Sequence, residues 1–86
     1  MTTQEARAAV AAALATIAPD VDIADVDPTG RFRDEMDLDS MDFLAIVQAL
    51  EDRTGISIPE ADYEDVQTLD RLVAYLQEHA VPSVTS

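Results

Sequence analysis

The sequence has no cysteine, no lysine and no tryptophan among its 86 residues. Without cysteine the chain itself can form no disulfide, thiolate metal site or thiol nucleophile, so any thiol chemistry needs a thiol supplied by a cofactor. No apolar run approaches the roughly 20 residues of a membrane-spanning helix, and the alanine-rich N-terminus carries Glu5 and Arg7, unlike a signal peptide. We therefore expect a cytoplasmic protein that does not insert into membranes.

The charge is strongly one-sided, because 18 carboxylates face five arginines and give a formal net charge of −13. Such a surface repels the phosphate backbone of nucleic acids and anionic lipid headgroups, and it attracts basic patches on proteins. Most of the carboxylates lie between residues 34 and 65, where Arg53 is the only basic residue. We expect weak, reversible docking onto basic protein surfaces, and no nucleic-acid partner.

Hydrophobic periodicity predicts one all-α domain, a small four-helix bundle over residues 1–79, with a flexible tail over residues 80–86. The first helix is predicted over residues 2–18, since Thr2 and Glu5 have the form of a capping box and Pro19 ends the pattern. The other helices are predicted over residues 39–54, over residues 60–65 as a brief third helix, and from residue 69 onward.

A long loop is predicted from Pro19 to Leu38, between the first two helices. Loops of this length in small domains are usually disordered or functional. We expect an ordered and functional loop here, because apolar residues recur along it and can pin it to the core: Val21, Ile23, Val26, Phe32 and Met36.

Ser40 stands at the first helical position of the second predicted helix, directly after the long loop. The unpaired N–H groups and positive dipole end of a helix N-terminus favour a phosphate ester on such a hydroxyl. The carboxylates of Asp37, Asp39 and Asp42 oppose it by repulsion. From the local pattern alone, Asp39 and Ser40 are equally explained as residues that cap a helix.

The segment from Phe32 to Leu76 resembles the acyl carrier protein family, in which an Asp-Ser-Leu motif at the start of the second helix carries phosphopantetheine. Here the motif is Asp39-Ser40-Met41. Phe32 and Met36 match the family's apolar loop anchors, and the order and spacing of Gly55 and the following Ile-Ser-Ile-Pro connector also match. The resemblance runs over about 45 residues without a gap.

This resemblance implies that a phosphopantetheinyl transferase attaches a covalent 4′-phosphopantetheine arm to Ser40, between Asp39 and Met41. The arm would hold acyl or aminoacyl groups as thioesters, and the domain, a monomer, would perform no catalysis. A loading ligase or transferase with a basic docking patch would contact the exposed face of the second helix and the start of the third. The docking residues that the resemblance implies, besides Met41, are Asp42, Leu44, Ala45, Gln48, Glu51, Asp52, Glu60, Asp62 and Glu64.

The sequence departs from carriers of fatty-acid synthesis in three places. Asp37 and Leu38 replace the usual Gly-Ala pair, and Ala45 and Gln48 replace a glutamate and a methionine on the docking face. The first helix shows little specific likeness. These departures favour a carrier dedicated to one pathway, for a specialised lipid, a secondary metabolite or an amino acid.

Three other functions compete with the carrier function. The run from Asp25 to Gly30 mimics the start of an EF-hand, but Met36 occupies the position of the bidentate glutamate. Catalysis lacks a base near Ser40, since the only histidine, His79, ends the last helix and there complements its dipole. An unmodified acidic adaptor with a carrier-like fold is the main alternative function.

Two aromatic side chains and three apolar ones are secondary candidates for contact with cargo. Tyr63 and Tyr75 could line a cargo site, although a packed ring with a solvated hydroxyl is the more common arrangement. By the resemblance, an acyl chain sheltered in the bundle would contact Phe43, Val47 and Leu72, whose default role is core packing.

Overall fold

Helical elements account for the regular structure of residues 1–80, which are the residues described by the computed structural model. In chain order they are α1 (Thr3–Ile17), a first 3₁₀ helix (Ile23–Asp25), the single-turn α2 (Phe32–Glu35), α3 (Ser40–Thr54), a second 3₁₀ helix (Glu60–Val66) and α4 (Leu69–His79). The predicted all-α bundle is confirmed. The predicted tail, apart from Ala80, lies outside the described residues, and no helix within residues 1–80 is long and apolar enough to cross a bilayer.

Helix α1 begins and ends within one residue of its predicted bounds because its cap forms as expected. Thr2 Oγ1 accepts a hydrogen bond from the Glu5 backbone N–H at 3.1 Å, and the Glu5 carboxylate accepts one from the Thr2 N–H at 2.8 Å. These bonds hold the pKa of Glu5 below its usual value. The buried side of α1 consists of small and medium residues, which lets it pack against α3 and α4: Ala6, Val10, Ala13 and Leu14.

Helix α3 is bounded by a polar cap and a glycine. Asp39 Oδ1 accepts a hydrogen bond from the Asp42 N–H at 2.9 Å, and Asp42 accepts a longer one from the Asp39 N–H, at 3.4 Å. Gly55 ends the helix with φ of 73°, a left-handed conformation that suits glycine. The predicted core stripe of this helix is confirmed, since its buried residues are Phe43, Ile46, Val47 and Leu50.

The loop between α1 and α3 is held to the core, as predicted. Phe32 is only 1% exposed, and its N–H donates to the Gln67 carbonyl at 2.9 Å. The Asp70 N–H donates to the Pro28 carbonyl at 3.0 Å, so two backbone bonds tie the loop to the first turn of α4 and the segment just before it. The single turn α2 was not predicted, because four residues are too few to reveal a helical period.

The brief third helix was predicted at the right place and takes the tighter 3₁₀ form from Glu60 to Val66. Val66 is fully buried and anchors its end. Helix α4 follows at once, with Thr68 Oγ1 accepting the Arg71 N–H at 3.2 Å. Its apolar side closes the core with Leu69, Leu72, Val73 and Leu76.

Asp37 is the only residue other than glycine within residues 1–80 that has a positive φ, at 54°. It directly precedes the buried Leu38. Left-handed φ values are unfavourable for residues with a Cβ, and aspartate tolerates them better than most because it is short and polar. By the resemblance described above, carriers of fatty-acid synthesis usually have glycine here, and glycine adopts such a φ without steric cost. Asp37 thus fills a position whose backbone suits glycine.

We expect Asp37→Val to lower the free energy of unfolding by about 1–2 kcal/mol, because a β-branched residue resists the left-handed region. Asp37→Gly should match or exceed the wild type, since glycine adopts this φ without steric cost. Urea denaturation measures both effects. Asp20→Val makes the same side-chain change at an exposed residue with negative φ, and an equal loss there would contradict the explanation.

Candidate functional site

Ser40 lies at the edge of a cleft of about 390 Å³. Three segments form it: α2 with the residue before it, the N-terminus of α3, and the second 3₁₀ helix. The cleft is lined by Arg31, Phe32, Arg33, Leu38, Asp39, Ser40, Phe43, Leu44, Glu60, Tyr63, Glu64 and Gln67.

The local geometry of Ser40 suits esterification of its hydroxyl. Ser40 is exposed and is the first residue of α3, as predicted. Its hydroxyl makes no hydrogen bond with any residue from 1 to 80, whereas Asp39 and Asp42 are occupied with each other's backbone N–H groups. The N–H groups of Ser40 and Met41 also have no acceptor within this part of the chain, so they remain available to a phosphate oxygen. A phosphate ester fits here.

The floor of the cleft is formed by two aromatic rings. Phe43 and Tyr63 pack edge to face, with ring centroids 5.4 Å apart and planes at 77°. Phe43 is the one member of the predicted acyl-lining trio that reaches the cleft, because Val47 and Leu72 are buried in the core between helices. Tyr63 lines the cleft and is half-buried.

The rim of the cleft carries charges of both signs on different edges. Arg31 and Arg33 lie on the α2 edge, and Glu60 and Glu64 lie on the edge formed by the second 3₁₀ helix. Neither arginine was predicted as a site residue. Their position on either side of Phe32 could have indicated them. Because Phe32 was expected to anchor the loop in the core, the residues next to it were expected at the surface.

The predicted docking face on α3 is exposed, with one exception. Met41 and Leu44 are the most exposed large apolar side chains within residues 1–80, at 76% and 46%. Asp42 is half-buried and its carboxylate is engaged in the capping box, so it is less available to a partner. The remaining predicted residues of this helix are all exposed: Ala45, Gln48, Glu51 and Asp52.

Asp62 lies apart from the other predicted docking residues. It is half-buried, accepts a hydrogen bond from the Tyr75 hydroxyl at 2.8 Å, and lines a second depression rather than the Ser40 cleft. The expectation of a solvated hydroxyl was therefore wrong for Tyr75, because Asp62 provides an internal acceptor. His79 stacks on the Tyr75 ring, with centroids 4.0 Å apart, at the end of α4 where it was predicted.

Comparison with known proteins assigns the family. Residues 8–76 match the family described as "Phosphopantetheine attachment site". The match includes most of α1.

Curated relatives agree with this family match. An acyl carrier protein of Rubrobacter xylanophilus is 34% identical over 59 residues, which are 69% of this chain and 73% of the relative. One of Helicobacter hepaticus is 37% identical over 57 residues, 66% of this chain and 75% of the relative. One of Lactobacillus johnsonii is 42% identical over 48 residues, 56% of this chain and 60% of the relative. The chain belongs to the acyl carrier protein family, whose members carry a covalent 4′-phosphopantetheine.

Burial, together with the hydrogen bond to Asp62, raises the pKa of Tyr75 to about 12. An unfolded tyrosine ionises near pH 10, so the stabilisation is complete below about pH 10 and is lost as pH rises towards 12. Tyr75→Phe should lower the free energy of unfolding by about 1 kcal/mol at neutral pH and remove this alkaline step. Urea denaturation between pH 8 and 12 tests this, with Tyr63→Phe as the control that retains Tyr75. An unchanged alkaline profile in Tyr75→Phe would contradict the assignment.

Proposed function

We propose that this protein carries acyl or aminoacyl groups as thioesters on a 4′-phosphopantetheine arm attached to Ser40, and presents them to partner enzymes. The observation that carries the proposal is the exposed hydroxyl of Ser40 at the first residue of α3, which makes no hydrogen bond with residues 1–80. When bound, the arm supplies the reactive thiol that a chain without cysteine lacks.

The residues around Ser40 position the attachment point and do no chemistry themselves. Asp39 ends the loop and caps α3, so the hydroxyl of the next residue projects at the helix tip. The unpaired N–H groups of Ser40 and Met41 can face a phosphate. Activation of the hydroxyl belongs to the phosphopantetheinyl transferase.

The exposed face of α3 is the surface we propose for partner docking. Met41 and Leu44 give it an apolar centre next to the attachment point, and Glu51 and Asp52 extend it as an acidic surface. Each exposed ion pair with a basic partner contributes under about 1 kcal/mol, which suits a carrier that must leave one enzyme for the next. Glu60 and Glu64 continue the acidic surface across the cleft.

We assign the carrier to a dedicated pathway and a cytoplasmic setting. Ala45 and Gln48 are exposed on the docking face where carriers of fatty-acid synthesis have a glutamate and a methionine. A partner selected for those side chains would meet a different surface here. The acidic composition supports partners with basic docking patches, such as the transferase and a loading ligase.

Incubation with a phosphopantetheinyl transferase and coenzyme A should add one phosphopantetheinyl group to the wild type, as measured by intact mass. Ser40→Ala should gain nothing, because the accepting hydroxyl is gone. Ser57→Ala is the matched control, since Ser57 is also exposed but lies in the connector after α3. An arm on Ser40→Ala, or none on the wild type, would support the adaptor alternative or another attachment residue.

Reversal of Glu51 and Asp52 to lysine should reduce kcat/KM of the transferase or loading enzyme about tenfold, because steering and several weak contacts are lost together. Circular dichroism should show unchanged helix content. The control variant reverses Asp20 and Asp25, which are exposed and lie outside α3, and it alters the net charge equally. If both variants slow the enzyme to the same degree, net charge rather than the α3 face determines docking.

A further inference from the structure

Attachment of a phosphodiester at Ser40 poses an electrostatic problem for this chain. The chain already has a net charge of −13, and Asp37, Asp39 and Asp42 lie within three residues of the serine. A further negative charge at that point should lower the stability of the fold, unless cations lie close by.

Two of the five arginines line the cleft beside Ser40. Arg31 and Arg33 form the α2 edge of that cleft, whereas Arg7, Arg53 and Arg71 lie on α1, α3 and α4 outside it. Neither Arg31 nor Arg33 donates a side-chain hydrogen bond to another residue within 1–80. Both guanidinium groups are therefore available to an anion at the serine.

The backbone that carries these arginines is firmly placed. The buried Phe32 lies between them, and its N–H bonds to the Gln67 carbonyl at 2.9 Å. Arg31 pairs with Thr68 in an antiparallel bridge, and its carbonyl accepts from the Glu35 N–H at 2.9 Å. Only side-chain freedom is then lost when a guanidinium engages an anion, which lowers the entropic cost of the contact.

We propose that Arg31 and Arg33 form a counter-charge site for the phosphodiester at Ser40, which rests on the function proposed above. Guanidinium is the side chain best matched to phosphate oxygens, through paired N–H donors and weak hydration. The site holds the root of the arm over the cleft and offsets repulsion from the capping carboxylates. Glu60 and Glu64 on the other edge keep the rest of the rim acidic.

The test compares arm attachment in two variants that each remove two positive charges. Arg31→Gln with Arg33→Gln removes the proposed site, and Arg53→Gln with Arg71→Gln removes exposed arginines outside the cleft. The transferase reaction is run to completion and checked by intact mass. The measured quantity is the melting temperature of the loaded protein minus that of the unloaded protein, at low ionic strength and in about 1 M salt.

At low ionic strength we expect this difference to be lower by about 3–6 °C in the Arg31/Arg33 variant than in the wild type and the Arg53/Arg71 variant. In about 1 M salt the Arg31/Arg33 variant should show the same difference in melting temperature as the other two proteins, because the screening length falls to about 3 Å. The ³¹P resonance of the phosphodiester should shift with salt in the wild type and not in the Arg31/Arg33 variant.

The experiment distinguishes a wrong function from a wrong counter-charge site. A wild type that gains no arm refutes the proposed function together with this site. Proteins that load fully but show equal differences in melting temperature, and equal ³¹P responses, overturn the counter-charge site alone. Both readouts are independent of partner enzymes.

Discussion

The first turn of α3 depends on the reciprocal hydrogen bonds between Asp39 and Asp42, and the position of Ser40 depends on that turn. An N-cap of this type contributes about 0.5–2 kcal/mol, enough to favour one start residue over its neighbours. A helix that began one residue later would leave Ser40 in the loop. Two of the three carboxylates expected to oppose a phosphate at Ser40 are thus the groups that position its hydroxyl.

The loop before α3 supplies the other half of the site. Phe32, the first residue of α2, and Leu38, which follows that turn, are both buried, so the chain between them must cross the surface beside the serine. Arg31 and Arg33, on either side of the buried Phe32, line the cleft in a protein that is otherwise strongly acidic. In our proposals the two signs of charge have different roles, since the acidic face of α3 docks partners and the two arginines contact the phosphate of the arm.

Capping signals explain why the helices could be predicted from the sequence so closely. Thr2 with Glu5, Asp39 and Gly55 act within one helical turn, so their effect is readable from local spacing. The features that escaped prediction depend on residues far apart or on very short elements. The Tyr75–Asp62 bond joins residues 13 apart, and the cleft combines α2 with residues from α3 and the second 3₁₀ helix. The left-handed backbone of Asp37 also gave no local signal, because aspartate is common in ordinary turns.

We propose that the hydroxyl of Ser40, and no other group, bears the phosphopantetheine arm. Purification of the protein from its native host, followed by proteolysis and fragment mass analysis, tests this directly. We expect the modified peptide to contain the Asp39-Ser40-Met41 sequence and fragmentation to localise the added mass to Ser40. A modification on a different residue, or a fully unmodified population in cells that possess the transferase, would contradict it.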